Sequence, residues 1–276
     1  MMQSVRNLSA RIETLISKSA TPLKPAIPVI ARFLLVVTFF EDSLRIITQW
    51  TDQLVYLENY RGFYHGTNHA FLGLNVFIMC VGSAMVIMRK RTEYAVGGLF
   101  GVVVSQTVGY GLFFDFNFFL RNVSILGGLL MLLADSINNQ DDKRRTVFPG
   151  LPTISYTNRS TYIQLAGRIL LIFLFMSFVF AGEMTPLRIA ASAIGLVASA
   201  MVVIGFKAKF SALFLVLFLS VFNVIINNWW TIHHNHPTRD FVMYDFFQTL
   251  SIMGGLLLLV NLGPGGLSVD EKKKNY

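Results

Sequence analysis

Ala31-Arg-Phe-Leu-Leu-Val-Val-Thr-Phe-Phe-Glu41-Asp42-Ser-Leu-Arg45 sets two adjacent carboxylates and an arginine into an apolar run long enough to cross a bilayer. An ionised side chain at membrane depth costs roughly 3 kcal/mol on insertion scales, so such groups face a wet cavity, a partner or the bundle interior. Glu41 and Asp42 therefore read as the floor of a site.

The surrounding chain has the same character. It is 54% hydrophobic and only 14% charged, with a mean hydropathy of +0.56, too apolar for an ordinary soluble domain. It reads as an all-α polytopic membrane protein with about eight apolar runs of spanning length. Residues 1–27 are polar and basic and hold no apolar stretch of the kind found in a cleaved signal, so the first span is expected to direct insertion. Val5, Leu8, Ile12, Leu15 and Ile16, with Arg6, Arg11 and Lys18 between them, predict a short amphipathic helix there. Cys80 is the sole cysteine, so no intrachain disulfide forms. The net charge of +8 is spread between hydrophobic runs, the arrangement that orients a chain in lipid and not one that grips nucleic acid.

The expected spans are 28–48, 67–88, 94–114, 118–134, 164–181, 187–205, 210–227 and 245–262. Arg89, Lys90 and Arg91 follow the second; Lys143, Arg144, Arg145 and Arg159 the fourth; Lys207 and Lys209 the sixth; Lys272, Lys273 and Lys274 the eighth. The opposite loops hold mainly Arg61, Arg188 and Arg239, so the positive-inside rule puts both termini in the cytosol.

An internal repeat supports an even count. Arg32-Phe-Leu-Leu returns as Arg168-Ile-Leu-Leu, Ser83-Ala-Met-Val as Ser199-Ala-Met-Val, and Ser124-Ile-Leu-Gly-Gly-Leu-Leu as Ser251-Ile-Met-Gly-Gly-Leu-Leu, at offsets of 136, 116 and 127. Two parallel four-helix halves follow, 28–134 and 164–262, joined by a polar cytosolic linker at 135–163 and ending in a tail at 263–276. The glycine clusters at 97–101, 127–128 and 254–255 mark close helix packing.

With the N-terminus cytosolic, Glu41 lies about 13 residues into the first span, roughly 20 Å along it, in the half facing away from the cytosol. Asp115 and Asp245 start or precede spans on the same side, and four carboxylates at one mouth suit a cationic group such as a peptide N-terminus. The competing explanations are local: Glu41 pairs with Arg45 one turn on, and Asp115 and Asp245 cap helices. His65 and His69, spaced i, i+4, and the cluster His233, His234 and His236 are a weak metal pattern, so solvated loop histidines are the default and no metal or cofactor is assigned. Trp229 and Trp230 mark an interfacial belt or line an apolar peptide-binding mouth. Lys273 and Lys274, fourth and third from the end, form a dilysine address.

On Ala31-Arg-Phe with Phe39-Phe-Glu-Asp, Ile204-Gly-Phe-Lys207, Tyr244-Asp-Phe-Phe-Gln-Thr249, Gly254-Gly-Leu-Leu, Leu262-Gly-Pro-Gly-Gly266 and Asp270-Glu-Lys-Lys-Lys274, the chain resembles the surfeit-locus-four family of endoplasmic-reticulum cargo receptors over nearly its whole length. The resemblance implies a multi-pass receptor, not an enzyme, in the endoplasmic-reticulum membrane. It would bind soluble secretory proteins in the lumen through signals near their N-termini, leave with the COPII coat through ER-derived vesicles, and return from the early Golgi with the COPI coat. On the residues alone a transporter or redox-linked membrane enzyme remains the rival, using the same buried carboxylates. The receptor reading gives Glu41, Asp42, Asp115 and Asp245 to the cargo amine and Trp229 and Trp230 to its apolar side chains.

Overall fold

A computed structural model describes residues 26–147, 156–173, 186–233, 236, 238–263 and 265–274. The expected N-terminal amphipathic helix, part of the linker, the end of the fifth span, His234 and the side chains of Lys273 and Lys274 lie outside the described residues. Among the described residues the regular structure is helical throughout: α1 (Ile27–Thr48), α2 (Trp50–Arg61), α3 (Thr67–Ile87), α4 (Thr92–Gly109), α5 (Phe116–Val147), α6 (Tyr156–Leu171), α7 (Pro186–Ile204), α8 (Ala208–Ile226), α9 (Arg239–Leu262) and α10 (Val269–Lys274). Short 3-10 turns occupy Leu112–Phe114 and Trp229–Thr231.

Among the described residues, four helical stretches are long and apolar enough to cross a membrane: Thr67–Ile87, Phe118–Asn139, Ala208–Thr231 and Arg239–Leu262. α1, of 22 residues, is about 33 Å long but holds Arg32, Glu41, Asp42 and Arg45. Within α7, Ser192–Ile204 is a shorter apolar helix. α2 falls in a stretch expected to be a loop; Gly62, at φ +69°, stops it in the left-handed conformation that glycine adopts without strain.

α9 lies along α1 as its main neighbour and also touches α5 and α8, while α5 packs on α6. α1, α3, α4 and α5 touch in sequence, as do α7, α8 and α9. Glycine sets the closest approaches. A Cβ on Gly254 would lie 2.5 Å from both the Ala31 carbonyl oxygen and the Leu35 nitrogen, and one on Gly127 would lie 2.9 Å from the Gly167 carbonyl oxygen and the Leu171 nitrogen. Shifted by 127 and 136 residues, these are one contact made twice. Between them α5 and α9 meet directly, with a Cβ on Gly255 falling 2.9 Å from Gly128 Cα. The turns before α4 and α8 match as well: Arg91 and Lys207, 116 residues apart, both sit at φ +46°, a conformation that costs a non-glycine residue about 1–2 kcal/mol.

The correspondence fails at one buried charge. Arg32 on α1 is paired with Asp135 on α5, both side chains enclosed. Its counterpart Arg168 on α6 is fully buried, but the position matching Asp135 is Leu262. Nη2 of Arg168 instead donates to the Leu267 carbonyl oxygen at 3.4 Å, and its Nε and Nη1 have no hydrogen-bond partner among the described residues.

Candidate functional site

Glu41 and Asp42 face inward because α1 is covered on that side by α3 and α9; the two residues keep only 5% and 6% of their surface. Their surroundings differ. Asp42 accepts from Arg45 one turn on and from Gln106 Nε2 of α4 at 2.6 Å, so its charge is met from two sides. Neither Glu41 oxygen accepts a hydrogen bond among the described residues, and Arg45 Nε stands 3.8 Å from Oε1. The local pairing expected of Arg45 is thus made chiefly with Asp42, at i+3. A carboxylate stripped of water and short of donors is costly, so Glu41 is the group most favoured by an arriving donor or cation.

Around this pair α9 supplies the second wall. Arg45 lies 5.5 Å from the Tyr244 ring centroid, close enough for a cation–π contact. Gln49 Nε2 donates to Asp240 Oδ2 at 2.6 Å. Gln248 Nε2 donates to the Tyr244 hydroxyl oxygen at 3.3 Å and to Asn122 Oδ1 at 3.4 Å. On the α4 side the Tyr110 hydroxyl donates to Gln53 Oε1 at 2.8 Å. The seam between α1 and α9 is therefore closed by glycine at one end and lined by polar groups at the other.

The remaining expected site residues separate. Asp245 belongs to the same helix as Tyr244, but it forms an ion pair with Arg121 of α5 and, because α9 begins at Arg239, it does not cap the helix. Asp115 is exposed and caps α5, accepting the Phe118 N–H at 3.1 Å. Trp230 packs edge-on against Phe246 at 5.7 Å and is half exposed, while Arg239 sits 5.2 Å from the Trp229 ring centroid. His65 Nδ1 lies 3.4 Å from Glu58 Oε1 and its ring meets that of His69 at 6.3 Å. Gln106, Asp240, Tyr244 and Arg121 escaped the sequence reading. Each completes a charged or polar pair whose partner lies outside its own helix, and only the spacing of Tyr244 and Gln248 at i, i+4 hinted at a polar face.

A family profile described as the SURF4 family matches residues 6–276. The chain belongs to the SURF4 family. Among curated relatives of this SURF4 chain, the Surfeit locus protein 4 homolog of Schizosaccharomyces pombe is 49% identical over 92% of the chain and 84% of that protein. The Surfeit locus protein 4 homolog of Drosophila melanogaster is 42% identical over 92% of each. The ER-derived vesicles protein ERV29 of Saccharomyces cerevisiae is 41% identical over 99% of the chain and 86% of its own length. No solved structure matches the chain.

Proposed function

We propose that this chain is a transmembrane receptor that binds soluble secretory proteins in the lumen of the endoplasmic reticulum by their N-terminal segments and packages them into vesicles bound for the Golgi. The observation that carries the reading is its similarity, across 99% of the chain, to a yeast protein named for ER-derived vesicles. COPII takes the loaded receptor forward, and COPI reads Lys273 and Lys274 to return it from the early Golgi. Deleting the chain is expected to stop secretion of its soluble cargo, while unchanged secretion together with substrate-coupled proton movement in reconstituted vesicles would favour a transporter instead.

The receptor crosses the membrane eight times as two parallel four-helix halves, 28–134 and 164–262, with 1–27, 135–163 and 263–276 in the cytosol. The doubled contact of Gly127 and Gly254 supports the division into halves, and the basic turns at Arg91 and Lys207 support the orientation. Asn7 and Asn158, each in an N-x-S/T triplet, then face the cytosol, and Asn122 is enclosed in a span. No glycan is expected on any of them when the chain is expressed in microsomes; a glycosidase-sensitive mass shift dependent on Asn158 would reverse the orientation.

Glu41 captures the cargo amine. Asp42 is already satisfied by Arg45 and Gln106, Asp245 by Arg121, and Asp115 serves α5, so these three shape the field around the mouth while Trp229 and Trp230 offer aromatic contact to apolar cargo side chains. Glu41→Gln is expected to lower crosslinking of cargo bearing a photoreactive N-terminal residue at least about tenfold, with receptor abundance unchanged. Asp42→Asn is expected to lower abundance itself, because it weakens the pairing of a largely enclosed Arg45. Full crosslinking by Glu41→Gln would remove Glu41 from the binding role.

A further inference from the structure

The segment after α9 turns back onto the protein and is fastened at successive points. Gln164 of α6 donates to the Gly263 carbonyl oxygen at 2.5 Å, and Arg168 reaches the Leu267 carbonyl oxygen. Ser268, buried to 2%, donates to the Gly265 carbonyl oxygen at 2.7 Å and accepts the Glu271 N–H at 3.2 Å. Asp270 then closes the strap. Its carboxylate accepts the N–H groups of Lys207 and Ala208 at 2.9 and 3.0 Å, and its own N–H donates to the Gly205 carbonyl oxygen at 3.0 Å.

Asp270 thereby supplies what α8 lacks. The residue at the start of α8 is Lys207, in the left-handed conformation and offering no side-chain cap; a carboxylate from the tail takes the free N–H groups of the first turn, where the helix dipole also favours negative charge. Arg168 fits the same account. With Leu262 where its counterpart has Asp135, its guanidinium has no carboxylate partner among the described residues and holds a tail carbonyl instead. The asymmetry between the two buried arginines is what leaves one of them to anchor the strap.

We infer that Gly263 and residues 265–274 form a latch over the turn between α7 and α8, and that the dilysine address is read only when Asp270 lets go of α8. This rests on the retrieval role proposed above for Lys273 and Lys274. The physical basis is reach. Lys274 is four residues beyond Asp270, at most about 14 Å of extended chain, and it ends α10 in helical form. Released from the strap, the twelve residues after Leu262 extend to about 40 Å, far enough for a soluble coat to engage them clear of the membrane.

Two variants of the full chain in proteoliposomes, both in a Cys80→Ser background, test the latch. Asp270→Ala opens it. Thr161→Cys with Gly266→Cys closes it, since a Cβ on Gly266 would lie 3.5–3.7 Å from the Thr161 side-chain atoms, near the separation a disulfide needs. Tail exposure is read as the rate of trypsin cleavage after Lys272 and Lys273, and signal reading as binding of purified COPI coat. Asp270→Ala is expected to raise both about tenfold, as losing charge-assisted hydrogen bonds should, while the oxidised double cysteine suppresses both until reductant is added. Equal cleavage in all three proteins, or coat binding by the oxidised lock at the starting level, overturns the latch. Lys273→Ser with Lys274→Ser scores the retrieval reading separately: unchanged coat binding there removes the signal, and the cleavage rates still decide the latch.

Discussion

Gly254→Ala is expected to cost the protein about 2–3 kcal/mol and most of its folded yield, although alanine is the better helix former by about 1 kcal/mol. The added methyl would lie 2.5 Å from the Ala31 carbonyl oxygen and the Leu35 nitrogen. Both are backbone atoms, so no rotamer change relieves the clash; α1 and α9 must separate along the seam whose other end carries Glu41 and Tyr244. Gly127→Ala, whose methyl would meet the matching atoms of α6 at 2.9 Å, is expected to fall between Gly254→Ala and wild type. Gly101→Ala meets nothing within 4 Å and is expected to be neutral or slightly stabilising. Thermal unfolding in detergent, followed by size-exclusion of the fluorescently tagged proteins, orders the three; a Gly254→Ala protein melting with wild type would mean that the two helices are not in backbone contact.

Asp135→Leu is expected to destabilise by about 3–5 kcal/mol, because it leaves the Arg32 guanidinium enclosed without its counter-charge. The loss comes from the stranded charge more than from the missing attraction. Arg32→Leu combined with Asp135→Leu should therefore recover most of the stability, and a double variant no more stable than Asp135→Leu would show that the pair has a worth beyond mutual neutralisation. The natural chain has already made half of this change at its second arginine, where Leu262 stands in the carboxylate's place and Arg168 turns to the tail.

What the sequence showed most clearly was what one helix can carry by itself. Four of the expected apolar runs are helices of spanning length among the described residues, and the glycine pairs 127–128 and 254–255 mark close packing as expected, whereas Gly97 and Gly101 meet nothing within 4 Å; the local pairing of Arg45 is made, but chiefly with Asp42 and not with Glu41. α2 was missed because Trp50-Thr-Asp-Gln-Leu-Val-Tyr-Leu-Glu-Asn-Tyr-Arg61 has no apolar stripe to announce a helix and buries only Leu57. α9 was started six residues late, since Arg239 and Asp240 end the apolar run but not the helix; Asp240 in the first turn suits the N-terminal end of the dipole. The partners of Asp42 and Asp245 beyond their own helices were illegible for a different reason. Whether Gln106 faces Asp42, or Arg121 faces Asp245, depends on how two helices are rotated and shifted against each other, which hydropathy does not encode. For the same reason Asp115 and Asp245, alike in sequence as acids near span ends, have opposite fates, one capping and exposed, the other ion-paired.

The contact of α1 with α9 has a consequence for how the chain is made. Leu35 gives its carbonyl to Ser251 and Ala31 its backbone surface to Gly254, so the first helix among the described residues is completed by the last long one. At roughly 5–20 residues per second, the more than 200 residues between them take on the order of 10–40 s to synthesise. For about the first half of that interval Arg32 waits for Asp135, and throughout it Glu41 and Asp42 lack the wall that Tyr244 will form. If α1 spans the membrane as proposed, a helix with four ionisable groups and no finished neighbour is a poor solute for lipid, and it would have to be held at the insertion machinery, or by a protein partner within the membrane, until translation is nearly over.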